Sequence, residues 1–208
     1  MTTTKWLEIA RELHSITQSG LTYCENEFDR ERYHRLQEMS AEIIAQQSTL
    51  SQEEVLESFA MQPGYITPKV DVRAALFRDG KILLVKESSD GHWAMPGGWA
   101  DVGDTPADAI LREVREESGF DARVLSLVGV YDANRVRREE MMPFYHAYKL
   151  LFLCEIHGGE MRTSHETPDV GFFGMNEIPP LSLYRTTMKH IEDAFAQNEN
   201  PSIATVID

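Results

Sequence analysis

Glu113, Glu116 and Glu117 follow one another at i, i+3 and i+4. On an α-helix that spacing gathers three carboxylates within roughly a 100° arc. Like charges so placed repel by a few tenths of a kcal/mol per pair, and helix propensity does not ask for them. A divalent cation would relieve the repulsion. Ligands that are all oxygen suit Mg²⁺ or Mn²⁺, with water completing the octahedron. Arg112 flanks Glu116, where it can hold a carboxylate in place. A solvated acidic helix face would carry the same letters, so the preceding loop matters. Gly97-Gly98 permits close backbone approach to a ligand. Backbone amides delivered beside a metal-binding helix are what a pyrophosphate needs.

The elements around these residues are written locally. Thr105 is an N-cap residue, Pro106 suits the first helical position and Asp108 stands where a capping box wants its acid. Gly119 is a C-terminal stop. The spacing predicts a helix from about Pro106 to Ser118, with Ala107, Ile110, Leu111, Val114 and Ser118 on its apolar side.

The rest of the chain divides by period. Residues 1–64 read as a helical extension. Trp6, Ile9, Ala10, Leu13 and Ile16 recur at helical spacing, with a break at Ser19-Gly20. A second helix spans about Asn26 to Gln47, its stripe formed by Phe28, Leu36, Met39, Ile43 and Ile44. Ser51 caps a third, with Glu54 in the capping-box position. From residue 65 to 208 the pattern is mixed. Val70–Phe77 and Ile82–Lys86 are strand-like around the tight-turn signal Asp79-Gly80. Arg123–Tyr131, Pro143–Ile156 (ended by His157-Gly158-Gly159) and Val170–Phe173 are further strands. A last helix is predicted over Leu183–Gln197. A hairpin first, then strands and helices in mixed order, gives an α+β fold class.

Composition sets limits. The chain has 208 residues, 42% hydrophobic and 26% charged, as in globular proteins. No apolar run reaches membrane-span length and the N-terminus lacks a signal-peptide core, so no membrane partner is expected. The only cysteines, Cys24 and Cys154, have no metal-ligand spacing, which predicts reduced thiols and a cytoplasmic location. A net charge of −14 argues against a broad nucleic-acid footprint and requires a local cation, metal or Arg, to draw in a polyanion.

The stretch from Gly98 to Phe120 resembles the box of the Nudix hydrolase family: Gly, five residues, Glu, seven residues, then Arg-Glu-apolar-any-Glu-Glu-any-Gly-apolar. Here it runs Gly98, then Arg112-Glu113-Val114, then Glu116-Glu117-Ser118-Gly119-Phe120. The first Glu of the pattern is replaced by Asp104, one methylene shorter, so that position would reach a metal less directly. The resemblance covers about residues 68–198 and implies a Nudix α/β/α sandwich with a mixed sheet, preceded by the all-α extension. It further implies Mg²⁺ or Mn²⁺ held by Glu113, Glu116 and Glu117. Many members place another Glu in a late loop facing the metals, and Glu166 corresponds; Glu113 or Glu166 would be the general base. Arg112 would orient the acidic cluster.

For substrate contact the candidates are Gly97, Gly98, Trp99, Asp104, Arg135 and Arg137. Trp99 can stack on a base or an ammonium group, or simply pack under its loop. Arg135 and Arg137 can clamp phosphates, although Glu139 and Glu140 beside them also make a self-neutralised loop. The implied reaction is hydrolysis of the pyrophosphate bond of a nucleoside diphosphate linked to another group. The helical extension resembles a bacterial subgroup acting on compounds such as CDP-choline or ADP-ribose, in which it commonly makes a homodimer. The Pro of dedicated ADP-ribose pyrophosphatases, about fifteen residues beyond the box, is absent, as is the Tyr of dinucleotide-polyphosphate hydrolases. The competing readings are an RNA 5′-pyrophosphohydrolase and a non-catalytic nucleotide sensor.

Overall fold

The computed structural model describes residues 3–61, 64–133 and 146–208. They fall into two compact units, one ending at Thr67 and one beginning at Pro68.

The first unit holds α1 (Thr3–Tyr23), α2 (Glu27–Gln46) and α3 (Gln52–Ala60). Asn26 caps α2 by accepting the Phe28 amide, and Ser51 and Glu54 form a reciprocal capping box at α3. Its core is small: Ala10 from α1, Ala41 and Ile44 from α2, and Val55 and Phe59 from α3. Two sequence expectations are corrected here. α1 does not break at Ser19-Gly20, because a Cβ on Gly20 would lie 2.4 Å from the Tyr33 ring; the glycine makes room for α2 instead of ending α1. The expected stripes are also only partly inward. Trp6, Ile16, Phe28 and Met39 are exposed, Phe28 by 70%, and small residues such as Ser40 and Ala41 hold the helices together.

The second unit is a seven-stranded sheet between two helices. Its strands are β1 (Lys69–Arg78), β2 (Lys81–Lys86), β3 (Trp93–Ala94), β4 (Phe120–Asp132), β5 (Ala147–Gly159), β6 (Asp169–Phe173) and β7 (Val206–Ile207). The helices are α4 (Pro106–Ser118) and α5 (Met188–Glu199). The order is β3-β2-β1-β5-β4-β7, with β6 paired to β2. β1 and β5 run parallel, β4 and β5 antiparallel. Asp79 and Gly80, both at positive φ, turn β1 into β2. Side chains of β1, β2 and β5 alternate between faces, while β4 shifts register against β5 at three places. Val72, Ala74, Leu76, Leu83, Val85, Phe152 and Cys154 pack with α4 through Ala109, Ile110 and Val114. Ala75, Ile82, Leu84, Leu151 and Leu153 pack with α5 through Ile191 and Ala194. This is the expected α/β/α sandwich.

Boundaries differ where local signals were weak. His157-Gly158-Gly159 does not stop β5; Gly158 and Gly159 pair with Asp121 and Phe120 at the start of β4. The last helix begins at Met188, not Leu183, because Thr187 and His190 cap it reciprocally. The two-residue strands β3 and β7 carry too little periodicity to be read in advance. Among the described residues no helix is long and apolar enough to cross a membrane.

His14 provides a test of the helical unit. Its ring stacks on Phe59 at 3.4 Å between centroids, Nδ1 is buried without a hydrogen bond, and burial pushes its pKa down to about 4. The unfolded chain binds a proton near pH 6.5 that the folded unit refuses until about pH 4. Stability of the unit therefore falls as pH drops through that window, by at most about 1.4 kcal/mol per pH unit and less after discounting for partial exposure. Denaturant titrations from pH 7 to 4 should show this decline, and His14→Leu should flatten it.

Candidate active site

α4 spans the residues that its caps dictate. The Thr105 hydroxyl accepts the Asp108 amide at 3.1 Å, Pro106 opens the helix and Gly119 closes it with φ of 78°. The helix buries Ala109, Ile110, Val114, Ser118 and also Glu117. Ala107 and Leu111, expected on the inner face, are only half-buried. Rotation of about 100° per residue then grades the carboxylates. Glu117 is 7% exposed, Glu113 is half-buried, and the Glu116 side chain is 61% exposed.

Buried Glu117 has specific partners. Its Oε2 accepts the Gly97 amide at 2.8 Å. Gly97 has φ of 144°, and a Cβ there would lie 1.9 Å from the Val72 carbonyl oxygen. Only glycine lets the loop press onto β1 and turn its N–H toward the helix. A Cβ on Gly98 would stand 3.0 Å from Glu113 Oε2. The glycine pair is thus built around the carboxylates, with the Gly97 amide already engaged. The loop continues β1's hydrogen bonding: Ala74 N–H to Pro96 O, Val72 N–H to Gly98 O and Ala100 N–H to Val70 O.

Beneath this loop lies a buried ionic cluster. Arg73 donates through Nε and Nη2 to the two Asp71 oxygens at 2.9 and 3.0 Å, and through Nη1 to Met95 O at 3.2 Å. Lys149 Nζ lies 3.5 Å from Asp71 and donates to Arg185 O at 2.6 Å. Burial would raise the Asp71 carboxyl, but Arg73 and Lys149 hold it below the usual carboxylate range. Burial dominates at Glu117 and pushes it up to about 7, against the pull of Arg73 and the Gly97 amide. Burial raises Glu113 and Glu87 as well.

A cavity of about 270 Å³ opens over these groups. Its wall includes Gly97, Gly98, Trp99, Glu113, Glu117 and Glu166, all expected from the sequence, and Asp71, Arg73, Glu87, Tyr184 and Arg185, which were not. Glu166 arrives on a tight loop pinned to the end of α4: Thr167 Oγ1 donates to Glu117 O at 2.8 Å and Ser88 N–H donates to Glu166 O at 2.9 Å. Trp99 is 43% exposed. Glu116 and Asp104 are not on the wall. Arg112 explains both: it donates to Asp104, Asp101 and Glu113 at 3.1, 3.1 and 3.0 Å and lies 3.7 Å from Glu116. Asp104 serves Arg112, and Arg112 steadies Glu113. Arg135 and Arg137 lie outside the described residues.

The donors fit a hard divalent cation in kind. Glu87, Glu113, Glu117 and Glu166 present oxygen from several elements to one cavity. Glu87 Oε1 is buried without a hydrogen bond, although Arg185 Nε stands 3.0 Å away as an ion pair. Among the described residues, no three His, Cys, Asp or Glu side chains converge closely enough to hold an ion as they stand.

Known proteins resemble the chain over both of its units. Residues 4–59 match a model described as a UDP-X-like N-terminal oligomerisation domain, and residues 67–195 match the NUDIX domain. A Bacillus subtilis (strain 168) protein, YjhB, whose ADP-ribose pyrophosphatase name is provisional, is 38% identical over 99% of this chain and 98% of its own length. An ADP-ribose pyrophosphatase of Methanocaldococcus jannaschii is 33% identical over 57% of this chain and 69% of its own. The crystal structure of a UDP-X diphosphatase superposes with a TM-score of 0.63 at 35% identity, covering all of both chains. That of an ADP-ribose pyrophosphatase from Streptococcus suis gives 0.62 at 35% identity over 68% of this chain and all of the other. Its box helix, its graded carboxylates and these matches together make the chain a member of the Nudix hydrolase family.

Proposed function

We propose that the protein hydrolyses the pyrophosphate bond of a nucleoside diphosphate linked to a second group, as in ADP-ribose, CDP-choline or a UDP conjugate, releasing a nucleoside monophosphate and a phosphorylated group. The observation that carries this reading is that Glu113, Glu117, Glu166 and the Gly97-Gly98 loop wall the same cavity. The names of the relatives support the substrate class. A nucleotide sensor would not need several buried carboxylates on one cavity, which favours the enzyme.

Glu113, Glu117 and Glu166 would hold Mg²⁺ or Mn²⁺, with Glu116 at the solvent edge and Glu87 a further oxygen donor. Such a cation, when bound, neutralises the phosphates and makes water a stronger acid. Glu113 or Glu166 takes the proton from the attacking water. Arg112, held by Asp101 and Asp104, keeps Glu113 aimed. Trp99, on the cavity wall and partly exposed, offers aromatic surface to a base. The free cysteines Cys24 and Cys154 are in keeping with a reducing cytoplasm.

The direct test is a phosphatase-coupled release assay with Mg²⁺ across ADP-ribose, CDP-choline, UDP-sugars, nucleoside triphosphates and capped RNA. Turnover of the nucleoside diphosphate conjugates should dominate and vanish with a chelator. Glu117→Gln should lose on the order of 10³-fold in kcat while melting normally. Near-normal turnover by that variant overturns the site.

Asp104 and Glu113 separate support from direct participation. Asp104→Asn removes one of several partners of Arg112 and should lower kcat/KM by roughly tenfold. Glu113→Gln should lower it by roughly a hundredfold or more. Equal losses would mean that Asp104 acts at the reacting centre itself.

We also propose that the helical unit joins two copies into a homodimer. The matching oligomerisation-domain model supports this, as do the exposed Trp6, Tyr23, Phe28 and Met39. In light scattering, Tyr23→Glu combined with Phe28→Glu should shift the mass from dimer to monomer. A dimer that persists would exclude these residues from the interface.

A further inference from the structure

We propose that Arg185 binds a phosphate oxygen of the substrate, a role that rests on the cavity's taking a nucleoside diphosphate. A polyanion entering this cavity meets several carboxylates, in a chain of net charge −14. Among the described residues on the wall, two are cationic: Arg73 and Arg185. Arg73 is 3% exposed, and its Nε, Nη1 and Nη2 are all engaged by Asp71 and Met95 O. It balances charge from below, and with each nitrogen already donating within the fold it keeps at most two of its five N–H for a ligand.

Arg185 is different in each respect. Its side chain is 27% exposed. Its guanidinium meets Glu87 through an ion pair at 3.0 Å in which Glu87 Oε1 accepts no hydrogen bond, and donates to Ser182 Oγ at a long 3.4 Å. Its backbone, by contrast, is firmly held. Arg185 O accepts from Lys149 at 2.6 Å, and Arg185 N–H donates to Ser182 O at 2.8 Å. On either side, Ser182 N–H donates to Trp93 O and Thr186 Oγ1 accepts the Met95 amide at 2.9 Å. The backbone is therefore fixed against the Trp93–Met95 segment that leads into the Gly97-Gly98 loop, while the guanidinium is loosely committed. That combination suits a group recruited by an incoming phosphate, to which Arg binds through two parallel N–H donors. The competing role is purely internal: neutralising Glu87.

Calorimetric titration with ADP and CDP in Mg²⁺ distinguishes these roles, with thermal melts as the folding control. Arg185→Gln should weaken diphosphate binding by roughly 10- to 100-fold, the worth of a charged hydrogen-bonded contact. Arg185→Lys should recover part of the loss, since it restores charge without the fork. Titration with Mg²⁺ alone is the control for the internal role: Arg185→Gln should lose diphosphate affinity beyond any change in its Mg²⁺ affinity. Diphosphate affinity within twofold of the unaltered protein in Arg185→Gln, or a loss matched by an equal loss of Mg²⁺ affinity, overturns the proposal, as does failure of the unaltered protein to bind either diphosphate. Should Arg185 govern diphosphate affinity in a protein that cleaves no nucleoside diphosphate conjugate, the hydrolase substrate fails and the phosphate contact stands.

Discussion

A buried guanidinium is the constraint on which the catalytic unit depends. Arg73 sits in the first strand of the sheet with 3% exposure. An unpaired charge in such a place is costly, so its neighbours are not optional. Asp71 answers it with both oxygens, Lys149 answers Asp71 from the parallel strand, and Met95 O takes the remaining arm. Removing one member would leave another charge buried and unmatched, which is far more damaging than losing a surface pair. The cluster ties together β1, β5 and the segment leading into the glycine loop. It also sets a positive charge beneath Glu117 and Glu87, which lets two further acids be buried above it.

From that base the geometry of the site follows with little freedom. The alternation of β1 sends Val72 and Ala74 toward α4 and leaves Asp71 and Arg73 on the other side of the strand. The glycine loop runs along β1 as a short extra ladder, and this fixes where the Gly97 amide points. Thr167 fastens the later loop to the last turn of α4, so Glu166 is positioned by the same helix that carries Glu113 and Glu117. Loops carry these donors, but rigid elements place them.

Much of this was legible in the amino-acid order. The caps of α4 and α3 are local chemistry, and local chemistry reads well from a single chain: Thr105, Pro106, Ser51 and Glu54 behave as their types require. The Asp79-Gly80 turn is equally local. The ionic cluster was not legible. Asp71 and Arg73 look like ordinary alternating polar positions of a half-exposed strand, and nothing in the order of residues says that Lys149 will lie alongside through a parallel pairing. Glu87 and Arg185 are nearly a hundred residues apart and meet only because β2 and the segment before α5 converge. Gly20 was misread for a related reason. Its effect depends on Tyr33 of another helix, while the sequence rule treats glycine as a local stop.

The three carboxylates of α4 share a residue type and differ in setting, and that difference resolves what their spacing means. On a lone helix they would repel weakly through water. Here the fold carries Glu117 almost out of water, holds Glu113 halfway and leaves Glu116 outside. Loss of hydration is the main reason that a carboxylate so placed prefers its neutral form, and repulsion from Glu87 and Glu113 adds a smaller push in the same direction. The Glu117 carboxyl, pushed up to about 7, expresses that preference. Arg73 and the Gly97 amide oppose the shift without abolishing it. Glu117 is therefore poised between its charged and neutral forms, and a second positive charge above it would settle the balance toward the carboxylate. The affinity for such a charge is built by burial, and the guanidinium beneath is what keeps that burial from being prohibitive.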